Sequence, residues 1–188
     1  MASTRLSAPR EHLLATASRL FYSDGIRGVG VDRILQEAGV TRATLYRHFA
    51  GKEALVVAYL EREDQMIKAI WNEGLGHAVS PDHALEMAIE GIAEDAYRHH
   101  TLGCSFIKAA GEYPDPESPA RQVIRSHRTW LRTELRRLLA EADRDDVDAK
   151  ADTLTMLRDA LMVGCFLDSP DVTRHTFVRN ARWVAGLR

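Results

Sequence analysis

The chain has 188 residues, 45% of them hydrophobic, which is enough apolar material for a packed core and a soluble fold. A formal net charge of -2 gives no overall preference for a polyanion. The charge is unevenly spread, however: residues 1 to 55 hold eight Lys/Arg against five Asp/Glu, and the remainder holds 17 against 22.

Two cysteines, Cys104 and Cys165, are too few for a disulfide framework or a four-cysteine zinc site and fit a reducing compartment. The first residues lack an apolar secretion segment, and no apolar run approaches the roughly 20 residues of a membrane span. The expectation is a cytoplasmic protein with no membrane partner.

In chain order, residues 1 to 8 read as a disordered arm, and Pro9 suits the first position of a helix. From Pro9 to Ser23, Leu13, Leu14, Ala17, Leu20 and Phe21 recur at helical spacing and form one apolar stripe, closed by Asp24-Gly25. A second helix, Val31 to Ala38, turns Val31, Ile34, Leu35 and Ala38 inward. Gly39 is its left-handed stop, and the Thr41 hydroxyl can cap the next helix. Over Thr41 to Phe49, Leu45 and Phe49 share one face, while Arg42, Ala43, Thr44, Tyr46 and Arg47 project from it. So short a helix needs a partner to lie on, and its outward set suits phosphate and base-edge contacts. Leu14, Phe21, Ile34, Val40, Leu45 and Phe49 are the expected small core.

A fourth helix, Lys52 to about Glu73, is predicted to link this module to the body. Ser80-Pro81, Ser118-Pro119 and Ser169-Pro170 each pair a capping hydroxyl with a proline at the first helical position, predicting helices over 81 to 99, 119 to 142 and 170 to 186. Two more fit between them, near Cys104 to Ala110 and from Val147 to Leu167. The proline-rich loop Glu112 to Ser118 is not helical. No strand-like alternation or repeat is visible, so the fold class is all-α with about nine helices.

The run Val31-x-x-Ile34-x-x-x-Ala38-Gly39-Val40-Thr41-x-x-x-Leu45-Tyr46-x-His48-Phe49-x-Gly51-Lys52-Glu53-x-Leu55 closely resembles the N-terminal domain of the tetracycline-repressor (TetR) family of bacterial regulators. The resemblance implies a three-helix helix-turn-helix DNA-binding domain at 1 to 51, followed by a larger helical domain at 52 to 188 for effector binding and dimerisation. It also implies a homodimer on a palindromic DNA operator, usually as a repressor, and a small-molecule effector. No cofactor or metal is implied.

Arg42 is the first candidate for a base contact, since a guanidinium can bind guanine O6 and N7 together. Thr41, Ala43, Thr44 and Arg47 are further candidates in the groove. Tyr46 and His48 match family positions that often contact phosphate, and Lys52 matches the lysine opening helix 4. One departure is Val29-Gly30, which stands where the family often has a hydroxyl residue leading into helix 2. No DNA contact is assigned there.

Helix 8 is apolar on nearly every side, through Leu154, Met156, Leu157, Leu161, Val163, Phe166 and Leu167. It is therefore expected to be buried on nearly every side, between the body's interior and a second copy, with helix 9 completing the interface. Candidate effector contacts are Met66, Ile70, Tyr97, Cys104, Phe106, His127, Trp130, Met156 and Phe166, chosen as aromatic, soft or polar groups in helices 4 to 8.

Two alternatives use the same residues. The fold could serve an activator, or a thiol sensor through Cys104 near His99 and His100. A Cys104-dependent enzyme would need a base among His99, His100 and His127 and an orienting acid such as Glu112. No phosphate loop, nucleophile elbow or paired-carboxylate motif accompanies them, so an enzyme is not expected.

Overall fold

The computed structural model describes residues 8–187, and among them the only regular elements are nine helices. They are α1 (Ala8–Asp24), α2 (Val31–Ala38), α3 (Arg42–His48), α4 (Lys52–Leu75), α5 (Pro81–Arg98), α6 (Ser105–Glu112), α7 (Pro119–Glu141), α8 (Val147–Leu167) and α9 (Pro170–Val184). The fold is all-α, as the spacing of apolar residues and turn signals predicts. The arm expected over residues 1 to 8 lies outside the described residues except for Ala8, which is helical. None of the described helices is long and apolar enough to cross a membrane.

The chain forms two compact units. One is Met1–Glu63 with Ser105–Ile124, the other Asp64–Cys104 with Arg125–Arg188. Compactness thus does not divide the chain at 51/52: α4 passes from one unit to the other, and α6 belongs with the N-terminal helices.

In the first unit the core is built from Leu13, Leu20 and Phe21 of α1, Ile34 of α2, Leu45 of α3 and Leu55 and Leu60 of α4, all buried. The Phe21 and Tyr59 rings pack at 5.8 Å with a 54° tilt. Val40, expected in this core, is only half-buried, whereas Ile26 and Val29 of the α1–α2 loop are buried. Val29 therefore serves packing at the position where the sequence departs from the family pattern. The same loop is fixed from α6: the Glu112 carboxylate accepts the amide N–H of Ile26 at 2.8 Å and of Arg27 at 2.5 Å. Lys108 Nζ donates to the Tyr22 carbonyl and sits 4.9 Å from the Tyr22 ring. These contacts are why α6 joins this unit, and they give Glu112 a structural task.

The second unit is organised by α5, α8 and α9. Ser80 caps α5 by accepting the His83 N–H at 3.1 Å, and small residues Ala84, Ala88, Ala93 and Ala96 let neighbours approach its buried face. Two ladders of ion pairs set antiparallel register. On α7, Arg128, Arg132 and Arg136 meet Asp159, Asp152 and Asp148 of α8. On α9, Arg174 and Arg182 meet Glu90 and Glu86 of α5. Such exposed pairs contribute little stability each, but together they penalise a shifted alignment. Where α8 packs on α9, a Cβ built on Gly164 would lie 2.6 Å from Thr173 Cγ2, so any larger residue would force the Thr173 side chain or the helices to shift.

One detail differs from the expectations drawn from the sequence. Ser169 makes no side-chain cap bond, so α9 begins on the fixed φ of Pro170 alone. On α8, Leu154, Leu161, Met162 and Cys165 face the interior with Arg158 among them, while Met156, Val163, Phe166 and Leu167, on the face expected to meet a second copy, are exposed on the single chain.

Candidate nucleic-acid interface and ligand cavity

The turn between α2 and α3 is built by its sequence. Gly39 adopts φ 61°, ψ 31°, and the amides of Gly39 and Val40 close back onto the carbonyls of Gln36 and Leu35 at 3.2 and 3.1 Å. This is the left-handed helix stop that glycine allows without strain. Two residues later the Thr41 hydroxyl accepts the Thr44 N–H at 3.2 Å and starts α3. The helix is shorter than expected by its two end residues: Thr41 is the N-cap and Phe49 the extended C-cap.

Within α3 only Leu45 is buried, and Phe49 anchors the far end, its ring 4.9 Å from the Arg10 guanidinium. Thr41, Arg42, Ala43, Tyr46 and Arg47 are exposed, and Thr44, His48 and Lys52 are half-buried. Tyr46 keeps 55% of its surface accessible. The Arg42 guanidinium pairs with Asp32 of α2. A pair this exposed is weakly held and can be exchanged for another acceptor. Lys52 forms no ion pair among the described residues, and partial burial lowers its pKa against the opposing charge of Glu112.

In the second unit, four helices surround a cavity of about 340 Å³. Helix α4 contributes Ile67, Ile70, Trp71 and Leu75; α5 contributes Met87, Glu90, Gly91, Ile92 and Asp95. Trp130, Leu131 and His127 come from α7, and Arg158 and Met162 from α8. The volume lies near the lower end of the roughly 300–1,000 Å³ of small-molecule sites, and apolar walls with a few polar groups are what such sites show.

Of the residues singled out from the sequence, Ile70, His127 and Trp130 line this cavity. Met66 is exposed outside it, Tyr97 is exposed beside Asp171, whose hydrogen bond raises the phenol's pKa, and Met156 and Phe166 lie on the outer face of α8. Phe106 is buried in the other unit. Cys104 is 1% exposed, its Sγ accepting from Arg158 Nη2 at 3.4 Å, and it does not reach the lining. Sequence reasoning missed Arg158, Glu90 and Asp95, because charged side chains ordinarily stay at the surface. The one signal available was an arginine set among the apolar positions of α8.

The polar groups are individually arranged. His127 Nδ1 lies 2.9 Å from Asp64 Oδ1, and Lys68 Nζ lies 2.7 Å from Asp64 Oδ2. Burial, aided by the positive charge of Arg158, depresses the His127 pKa to about 4 despite Asp64. The ring is therefore neutral at pH 7, with Nδ1–H donating to Asp64 and Nε2 as its acceptor atom. At His100 burial works against the charged form, but the hydrogen bond and charge of Asp95, 3.2 Å away, outweigh it and raise the pKa.

A glycine-stopped helix, a capped seven-residue helix with one buried anchor, and an outward face of arginine, threonine and tyrosine define a helix-turn-helix protein. Residues 13–59 match the family model "Bacterial regulatory proteins, tetR family". A TetR-family transcriptional regulator from Streptomyces coelicolor is 38% identical over 95% of this chain and 94% of its own, with a TM-score of 0.90. The chain belongs to the TetR family of bacterial transcriptional regulators.

Curated relatives match over shorter stretches. The HTH-type transcriptional repressor NemR of Escherichia coli K12 is 29% identical over 119 residues. The HTH-type transcriptional activator FasR of Mycolicibacterium smegmatis is 29% identical over 116. The match spans 59% of the length of NemR and 52% of that of FasR.

Proposed function

We propose that the protein represses transcription by gripping a palindromic operator as a homodimer and lets go when a small molecule enters the cavity of its second unit. The observation that carries this reading is the outward face of α3, where Arg42, Ala43, Tyr46 and Arg47 stand exposed around the single buried anchor Leu45. Arg42 reads a base edge, and Thr41, Ala43, Thr44 and Arg47 line the groove. Tyr46, His48 and Lys52 hold phosphates. In this assignment residues 1 to 51 read DNA and residues 52 to 188 sense the effector and pair the chains, in the cytoplasm.

Support for pairing comes from α8 and α9, which expose Met156, Val163, Phe166, Leu167, Val172 and Trp183. Large apolar side chains gathered on two neighbouring helices are what a homodimer covers. Helix α4 carries Lys52 at its start and cavity residues from Ile67 onward, and is the element through which occupancy biases DNA binding. A tenfold loss of affinity needs an effector that discriminates between the two states by about 1.4 kcal/mol.

The test is selection of bound fragments from random duplex DNA, followed by footprinting. The reading predicts a two-fold symmetric site protected by two chains. Recovery of no sequence preference, or of a site bound by one chain, would contradict it.

A further inference from the structure

Arg158 is a buried guanidinium with too few acceptors. Its side chain is 7% exposed and forms part of the cavity wall. Of its five N–H donors, Nη2 donates to Cys104 Sγ and Nη1 to Asp159 Oδ1, both at a long 3.4 Å. Asp159 is itself held more closely by Arg128, at 2.6 Å. The other charges in the wall are already matched: Glu90 faces Arg174 at 2.9 Å, and Asp95 faces His100 at 3.2 Å. Burying a cation without close partners is costly, and a carboxylate meeting the planar fork of arginine with two parallel hydrogen bonds is the partner that best offsets it.

The remainder of the wall limits what can carry that carboxylate. Trp71, Trp130, Ile92 and Met162 offer an apolar body few hydrogen bonds: only the two indole N–H groups are polar, and that of Trp71 is already given to Glu134 at 3.3 Å. A dianion such as a phosphate monoester would bring a second charge next to Glu90 and Asp95, and a cation would meet Arg158 unfavourably.

We propose that the effector is an apolar monocarboxylate, its carboxylate paired with Arg158 and its hydrocarbon body filling the space between α4, α5, α7 and α8. This rests on the reading of the cavity as the effector site. Arg158 is then the residue that selects for the acid over a neutral analogue of the same length.

The experiment is calorimetric titration of the full chain with decanoate and with decanol, both below their aggregation limits. Wild type is expected to bind decanoate roughly tenfold or more tighter than decanol, the preference that a charge-assisted pair supplies. Arg158→Gln should abolish that preference. Gly91→Phe should weaken binding of both, because Gly91 lines the cavity and a Cβ there meets nothing within 4 Å, leaving room for a ring at its wall. Circular dichroism checks each variant, and the wild-type comparison stands if Arg158→Gln does not fold. Equal binding of acid and alcohol by wild type, weakened in Gly91→Phe, would overturn the carboxylate assignment while leaving the cavity as a binding site. A preference unchanged by Arg158→Gln, or binding not weakened by Gly91→Phe, would also overturn it. Binding of neither probe would remove both the assignment and the effector reading of the cavity.

Discussion

Thr41 and Glu112 both hold amide groups that no helix satisfies, but only one of them is recognisable from its neighbours. Thr41 stands three residues before the amide it accepts, so the cap is legible in the sequence, and Thr41→Ala should cost about 1 kcal/mol in urea denaturation. Glu112 accepts amides 86 and 85 residues away, and nothing local marks that partnership. Glu112→Ala should cost about 2 kcal/mol, since two charge-assisted hydrogen bonds are lost from a partly exposed site. A loss below a few tenths would contradict the structural task given to it. His127 adds a pH dependence. Burial holds its folded-state pKa at about 4, below its ordinary value of 6.5, so the folded state prefers the neutral ring. That contribution is complete above pH 6.5 and is lost as pH falls toward 4, a loss of about 3 kcal/mol. His100, with its raised pKa, acts in the opposite sense, losing its contribution as pH rises through the raised value. Comparison of wild type with His127→Gln by denaturation at pH 7 and pH 4.5 isolates the former: stability should fall more steeply in wild type. Parallel slopes would contradict the depressed pKa.

At the scale of elements, the helix limits were legible because punctuation and periodicity coincide. Gly39, Ser80-Pro81 and Ser118-Pro119 each sit at an observed boundary, and the Ser118 hydroxyl accepts the Arg121 N–H at 3.4 Å. Which face of α8 lies inside was harder to read, because the pattern is apolar on both sides and only tertiary packing separates Leu161 and Cys165 from Val163 and Phe166. Arg158 was illegible for the same reason: its burial depends on neighbours brought from distant segments, Cys104 among them. The close packing of α8 on α9 yields a sharp prediction. Gly164→Leu should destabilise the second unit by about 1–3 kcal/mol through overlap with Thr173. Thr173→Gly in the same chain should recover part of the loss, which thermal denaturation of both variants would show. Additive losses would contradict the contact.

For the whole molecule, the family was legible from the Val31 to Leu55 run and the helical architecture from apolar spacing and Ser-Pro pairs along the chain, whereas the division into compact units was not. The break falls inside α4, between Glu63 and Asp64, and α6 returns to the N-terminal helices through Glu112 and Lys108. Likewise, the cavity draws on Ile70, His127 and Trp130 but not on Met156 or Phe166, since the helical repeat names a face without saying whether it turns inward. The proposed function rests on α3 reading DNA: the exposed Arg42–Asp32 pair is proposed to open so that Arg42 meets a base edge, and Lys52 is proposed to hold a phosphate. The most direct measurement is the salt dependence of binding to the selected operator and to a mismatched duplex, for wild type, Arg42→Ala and Lys52→Ala. Lys52→Ala should weaken both duplexes alike and lower the salt slope by about one, while Arg42→Ala should cost roughly 1–3 kcal/mol on the operator and much less on the mismatch. An equal loss on both duplexes for Arg42→Ala, with the wild-type preference retained, would contradict the account.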